Sequence, residues 1–264
     1  YAFLDAYDNV NKGDWYMAST NEDATLAWGE SYVMMALAVM VERTGDVGLL
    51  SELARHIDGV LATRDDARGV SDYRGVSDAC WQNTSYQDGA YCYTVHSGMI
   101  GFPIAEAARL VALHGLEDAI DTDNRTFGEK AAEWTAAAEE IVAAHDDQWN
   151  DEGYYIFRED ADFLTYAGVD LPLNQSNAMG RLLLSLYAVT GDSDHLTRAS
   201  ALAARLKDQM TTGEDGALLW NYWGGSYSAS GEDISHAAIN VDFAVRCAEA
   251  VSYTHLTLPT TYTV

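Results

Sequence analysis

The sequence predicts an all-α protein in which helical hairpins curl into an incomplete barrel, an (α/α) toroid with one or two short β-hairpins. Three observations predict it. With 48% hydrophobic residues and only 3 Pro in 264, the chain has ample core material and few helix breakers. Runs that are apolar on every side alternate with runs that are apolar on one face, as inner and outer helices of a layered fold do. A polar opening followed by an apolar body also recurs four times, beginning at Trp28, His96, Asn174 and Glu232, with no strict repeat period.

Taken in order, residues 1–24 are aromatic and polar and hold a short helix before a loop. The first inner helix covers about 25–43 and closes at Thr44, Gly45 and Asp46; Gly suits a left-handed C-terminal position and the following Asp caps the next helix. Its amphipathic partner at 47–62 turns Leu49, Leu50, Leu53, Ile57, Val60 and Leu61 inward and Glu52, Arg55, His56 and Asp58 outward. Residues 63–94 show no helical period, and a loop of that length is normally functional. It carries Arg64, Arg68 and Arg74 beside Tyr73, Trp81, Tyr86, Tyr91 and Tyr93. The second inner helix runs from 96 to 114 with an Ala-rich partner at 126–145, and the third from 177 to 189 with a partner at 193–210. A fourth, at 233–250, has no partner after it and reads as the end of a shortened chain. Short β-hairpins fall at 149–157 and 216–222. Residues 1–250 thus form one domain. The Thr-rich stretch 251–264 resembles translated sequencing-adapter text and is set apart as a tail that adds little stability, which removes His255 as a candidate.

The formal charge of −26 argues against nucleic acid as a partner, because nothing would neutralise phosphates, and against an anionic membrane surface. No run reaches the roughly 18 apolar residues that a membrane span needs. The pI near 4.3 suits a salty or extracellular setting, and the chain is expected to be secreted or periplasmic. Three Cys are too few for a disulfide scaffold. Free thiols are the favoured state, with a Cys80–Cys92 pair as the alternative and Cys247 buried.

The chemistry gathers at the helix mouths. His96, His236, Tyr86 and Tyr93 are proton carriers; Asn174, Asn177, Asn240 and Arg74 are groups that neutralise a carboxylate; Glu232 and Asp233 sit on the first turn of the last helix, where its dipole favours acids. His236 and Asn240 are four residues apart and share one face. Trp28, Tyr32, Trp81, Trp220, Tyr222 and Trp223 offer flat surfaces for a sugar ring. Each has a plainer reading. Asn177 and Asp233 are ordinary helix caps, His236 a structural partner of an acid, Arg74 a partner of Asp72, and the Trp residues core. There is no HExxH, no Cys/His metal spacing, no phosphate loop and no G-x-S-x-G, so no metal or cofactor is expected.

The loop Asp72 to Gly75 with Trp81 and Tyr86, the mouth Val95 to Ile100, the mouth Asn174 to Met179 and the mouth Glu232 to Ala237 together resemble the toroidal polysaccharide lyases, and are similar to the helical domain of glucuronyl C5-epimerases. The resemblance covers roughly residues 25–250. It implies a lyase that cleaves a uronic-acid-containing polysaccharide by β-elimination after removal of the C5 proton. Such a reaction needs a group to neutralise the carboxylate, a base and an acid. The resemblance implies catalytic roles among His96, His236, Tyr86, Tyr93, Asn177 and Glu232, and substrate contacts from Arg74, Trp28, Tyr32, Trp81, Asn174, Tyr222, Trp223 and Asn240, without fixing which residue is base and which acid. Three other readings stay open: a toroidal glycoside hydrolase drawing its carboxylate pair from Glu30, Glu232 and Asp233, a glucuronyl C5-epimerase-like protein, and a non-catalytic glycan-binding module.

Overall fold

The computed structural model describes residues 2–224 and 231–256, the side chains of residues 11 and 251–256 excepted. The fold is helical, with one two-stranded sheet among the described residues. Its helices are α1 (Ala2–Asn9), α2 (Ser31–Thr44), α3 (Val47–Ala62), α4 (Asp65–Arg68), α5 (Thr94–His114), α6 (Phe127–Ala143), α7 (Leu173–Thr190), α8 (Ser193–Gln209) and α9 (Ile234–Leu256). A π-helical turn, Leu26–Glu30, leads into α2. Strands β1 (Thr211–Thr212) and β2 (Leu218–Leu219) pair antiparallel.

Two layers follow from the hydropathy pattern. α5 is buried continuously from Thr94 to Ala108 and α7 is nearly so from Leu173 to Leu186. By contrast α3, α6 and α8 bury one face each. Each of the latter packs on the helix before it, while α5 packs along α7, α2 on α5 and α9 on α7. The inner layer therefore has the fully buried α5 and α7 at its centre, with α2 and α9 at its edges burying one face each, against the expectation of burial all round, and α3, α6 and α8 form the outer layer. Gly45 and Gly191 close α2 and α7 in the left-handed conformation, at φ 61° and 71°. Asp46 and Asp192 then cap α3 and α8 through their side chains, as the repeated Thr-Gly-Asp predicts. α9 has no outer partner among the described residues, and its Ile234, Val241 and Val245 are 90%, 51% and 50% exposed.

The mouths share one end because the inner helices touch through glycine. A Cβ on Gly98 of α5 would sit 2.5 Å from the Met179 backbone nitrogen of α7, and one on Gly180 would sit 2.6 Å from the Phe243 ring of α9. No side chain larger than hydrogen fits at Gly98 unless one backbone moves.

Several expectations are corrected. His56 is fully buried and not outward: its Nε2 meets the Tyr7 hydroxyl at 2.7 Å and its Nδ1 meets the Glu30 carboxylate. Cys80 and Cys92 form a disulfide in place of free thiols, and Cys247 is half-buried. The loop at 63–94 contains α4 and a bridge between Asn83 and Tyr91. The 149–157 hairpin reduces to a bridge between Trp149 and Tyr155, and the later hairpin starts at Thr211, before the expected position. α9 continues to Leu256; the rest of the expected tail, 257–264, lies outside the described residues. No helix among the described residues is long and apolar enough to cross a membrane.

Two stability tests follow. Gly98→Ala should lower the urea midpoint by the equivalent of about 1–3 kcal/mol, the usual cost of overpacking; an unchanged midpoint would show that the α5–α7 contact relaxes freely. Replacing both Cys80 and Cys92 by Ser should cost about 3 kcal/mol, the loop-closure value for a loop of this size, and a loss near zero in the same measurement would place the bridge outside the cooperative core.

Candidate active site at the helix mouths

The α7 and α9 mouths carry the first group of side chains. α7 begins at Leu173, after Pro172, so Asn174 and Asn177 are inside its opening turns and do not cap it. Both are buried. Asn177 Nδ2 donates to Asn240 Oδ1 at 2.7 Å, and Asn240 Nδ2 donates to Glu232 Oε2 at 2.7 Å. The Trp220 indole N–H donates to the same carboxylate oxygen. Glu232 Oε1 is buried and has no hydrogen-bond partner among the described residues. Burial raises the Glu232 pKa above the ordinary carboxylate range, against the lowering hydrogen bonds from Trp220 and Asn240. With Oε2 already accepting twice, a proton on this group belongs on Oε1, where it is free to be donated.

One residue along, Asp233 caps α9. Its Oδ1 accepts from the Ser235 hydroxyl, the Ser235 backbone and the His236 backbone, and its Oδ2 contacts His236 Nδ1. Those bonds hold the Asp233 carboxylate well below its usual range, the Ser235 hydroxyl contributing most. An ionised carboxylate at Nδ1 fixes the proton there and leaves Nε2 of the neutral ring as an acceptor. The His236 ring lies 5.0 Å from that of Tyr222, and Tyr222 accepts from Gln175 Nε2 at 3.4 Å. An acid, a base and a phenol thus gather around one helix start.

The second group surrounds His96. The imidazole has no exposed surface and is walled by Trp28, Tyr86 and Tyr93, at ring separations of 5.8, 5.5 and 5.3 Å. Asn21 fixes its tautomer. Asn21 Oδ1 accepts from the Ala27 backbone, so its amide nitrogen must face Trp81 O and His96 Nδ1, the latter at 3.2 Å. Nδ1 therefore accepts, and the ring proton sits on Nε2, which is buried and unpartnered among the described residues. Burial pushes the ring down to about 3. His96 is a neutral donor enclosed in aromatic rings, and it does not have the exposed acceptor nitrogen of a general base. The Trp28 indole donates to the Tyr86 hydroxyl at 2.8 Å. Tyr86 is 46% exposed, so this pair forms the open edge of the group, while burial raises the Tyr93 phenol above its ordinary range.

The remaining predicted residues lie elsewhere. Trp81 is fully buried, with its N–H on Val60 O and Thr63 Oγ1; it is core and presents no face to a sugar. Arg74 reaches none of the mouth residues through its hydrogen bonds: its guanidinium binds Asp72, Asp78 and Asp147, the plainer of its two readings. Trp223 is almost buried and donates to Asp170 O. Tyr32, 45% exposed, lines a cavity between the inner helices. Glu30 is sealed against His56 and the Trp15 backbone N–H.

Asn21, Asp233 as orienter of His236, and Gln175 went unassigned in the sequence; of these only Asp233, three residues before a His on a helix start, left a readable signal. Among the described residues one group has metal-ligand spacing, Asp65 with Cys80 and Cys92. Its sulfurs are joined, so they offer no thiolate. Asp65 Oδ2 instead accepts from the Gln82 backbone, and burial pushes its carboxyl up to about 7.

No protein-family model matches the chain, and no curated protein matches it either.

The buried imidazoles have a pH signature. His96 and His145 are both pushed down to about 3 by burial, the charge of Arg158 adding to the effect on His145. An unfolded chain protonates these rings near pH 6.5. Their contribution to stability is present above that pH and lost as the pH falls towards about 3. Asp65, raised to about 7, has the opposite sign: its contribution is present below the unfolded carboxyl value and lost as the pH rises through 7. Glu232, also raised by burial, opposes the rings in the same sense as Asp65, so the contribution of one ring is read by removing it. Between pH 4.5 and 6.5 the urea stability of His145→Gln should rise less steeply than that of the wild type, by about one proton's worth of slope, and equal slopes in the two proteins would show that His145 is protonated in the folded state.

Proposed function

We propose that this chain is a polysaccharide lyase of (α/α)-toroid architecture, acting on a uronic-acid-containing polysaccharide by β-elimination. The observation that carries the reading is the Glu232 carboxyl, raised in pKa and with a free buried oxygen, set one residue from the Asp233–His236 pair. Elimination needs the negative charge of the uronate carboxylate to be neutralised while the C5 proton leaves. A protonated Glu232, held by Asn240 and through it by Asn177, is a neutral donor suited to that carboxylate. His236 Nε2 takes the C5 proton, the electron pair forms the C4–C5 double bond, and the C4–O bond breaks. The leaving oxygen takes its proton from a phenol: Tyr222 accepts from Gln175 and keeps its own O–H to donate. Trp28 and Tyr86, open at the edge of the neighbouring group, suit stacking against an adjoining sugar ring. The two-layer helix order, with inner mouths at one end, supports the toroid.

The hydrolase reading fits less well. It needs a second carboxylate opposite Glu232, but Glu30 is sealed against His56, and Asp233 is taken up by Ser235 and His236.

Incubation with alginate, glucuronan, ulvan and glycosaminoglycans, followed by the ultraviolet absorbance of the unsaturated product, tests the proposal. One of them should be depolymerised with a rise in absorbance. His236→Ala should reduce turnover by about two to four orders of magnitude. Wild-type activity should fall on the alkaline side as Glu232 ionises, and Glu232→Gln, which stays a neutral donor, should lose that limb. New reducing ends without absorbance would establish a hydrolase, and no depolymerisation of any substrate would remove the enzymatic reading.

A further inference from the structure

Below the mouths, α2, α5, α7 and α9 line an open-sided cavity of about 270 Å³, bounded by Tyr32 and Met35 of α2, Phe102 of α5, Arg181 of α7 and Asp242 and Arg246 of α9. Arg181 follows Asn177 by four residues, so it lies one helical turn deeper on the same face of α7. Its side chain is 3% exposed.

A buried guanidinium has five N–H donors to satisfy, and leaving one without a partner in a low-dielectric site costs free energy. Arg181 is poorly served. One terminal nitrogen meets Asp242 at 3.0 Å and the Met35 sulfur at 3.7 Å, and the other meets only the Met99 sulfur. Thioether sulfur is a weak acceptor. Its Nε is buried with no partner among the described residues. The acids that line the same cavity are already matched: Glu106 by Arg109, Ser185 and Arg246, Glu42 by Arg109, and Asp242 by Arg181 and Arg246. Arg246 lies over the Phe102 ring at 4.4 Å, and Arg181 over the same ring at 4.9 Å, so two cations face one apolar floor. The unmet capacity is therefore cationic, planar and forked, the shape that binds a carboxylate through two parallel hydrogen bonds.

We propose that this cavity is a binding site for a compact carboxylate, held by Arg181 and assisted by Arg246. The carboxylate has two sources, a free small acid or the acid group of a sugar, and the chemistry is shared. The site stands on the cavity and its donors alone, and does not depend on the lyase reading.

The test is thermal unfolding and titration calorimetry with sodium acetate and sodium glucuronate, using glucose and sodium chloride at matched ionic strength as controls. The whole chain is used, without polysaccharide. At ten times its dissociation constant a ligand should raise the melting temperature by about 3 °C. A rise with acetate and glucuronate alike assigns the site to small carboxylates generally, and a rise with glucuronate alone assigns it to acidic sugars. Arg181→Met should fold, because Asp242 keeps Arg246 as its partner, at 3.2 Å, and should weaken binding at least tenfold. Arg181→Lys, which keeps the charge but loses the fork, provides a second readout and should also weaken it. No rise beyond the chloride control, or the same rise in both variants, overturns the proposal. These readouts measure binding without turnover, so they fail or succeed separately from the elimination assay.

Discussion

Where Gly98 faces Ala178 and Met179, two helices meet backbone to backbone, and the placement of the polar mouths follows from that contact. Helices held apart by ordinary side chains have freedom to slide and rotate, since many rows of side chains interlock about equally well. Backbones in contact lack that freedom. Gly98 fixes the height of α5 against α7, Gly180 does the same for α7 against the Phe243 ring of α9, and Gly101 lets Leu182 and Ile141 close in behind. His96, Asn177 and Asn240 each lie close to one of these contacts, so their relative heights are set by sterics.

Electrostatics then shape what the mouths can recognise. A chain with 41 acidic and 15 basic residues has few cations to spare, and the structure pairs them with acids: Arg55 with Asp14 and Glu52, Arg64 with Asp66 and Glu140, Lys130 with Asp58, Asp121 and Asp123. At the mouths most polar groups are instead amides, phenols, indoles, the neutral His96 imidazole and the Glu232 carboxyl, whose ionisation burial disfavours, with Asp233 as the ionised exception. Uncharged donors of this kind cost less to desolvate than a buried charge.

The helices were legible in the sequence because hydropathy period and capping residues act locally. Gly45 with Asp46 and Gly191 with Asp192 marked two hairpin turns to the residue, and the all-apolar bodies of α5 and α7 announced an inner layer. Details that depend on distant partners were not legible. His56 sits among outward-facing positions of an amphipathic pattern, and only the arrival of Tyr7 and Glu30 makes its burial tolerable. Trp81 looked like a loop aromatic until Thr63 and Val60 took its indole N–H. Arg74 was foreseen beside Asp72, but Asp147 is 73 residues away. Glu232, Asn177 and Asn240 were readable as mouth residues, whereas the chain of hydrogen bonds that joins them, and the Asn21 amide that sets the His96 tautomer, required the third dimension.

Among the described residues the outer face of α9 is uncovered, and this bears on how they come apart. Protein segments open in cooperative units, and the least supported unit opens first. α9 leans on α7 and α8 while Ile234, Val241 and Val245 gain nothing from burial on the other side. Glu232 and Asp233 at its start, His236 and Asn240 on its first turns, and Asp242 and Arg246 of the inner cavity all belong to that one helix or its immediate entrance. Detachment of α9 would therefore dismantle both sites together while α5, α7 and their outer partners stayed folded. The occupancy of a ligand at either site would in turn be felt as protection of this one segment against solvent.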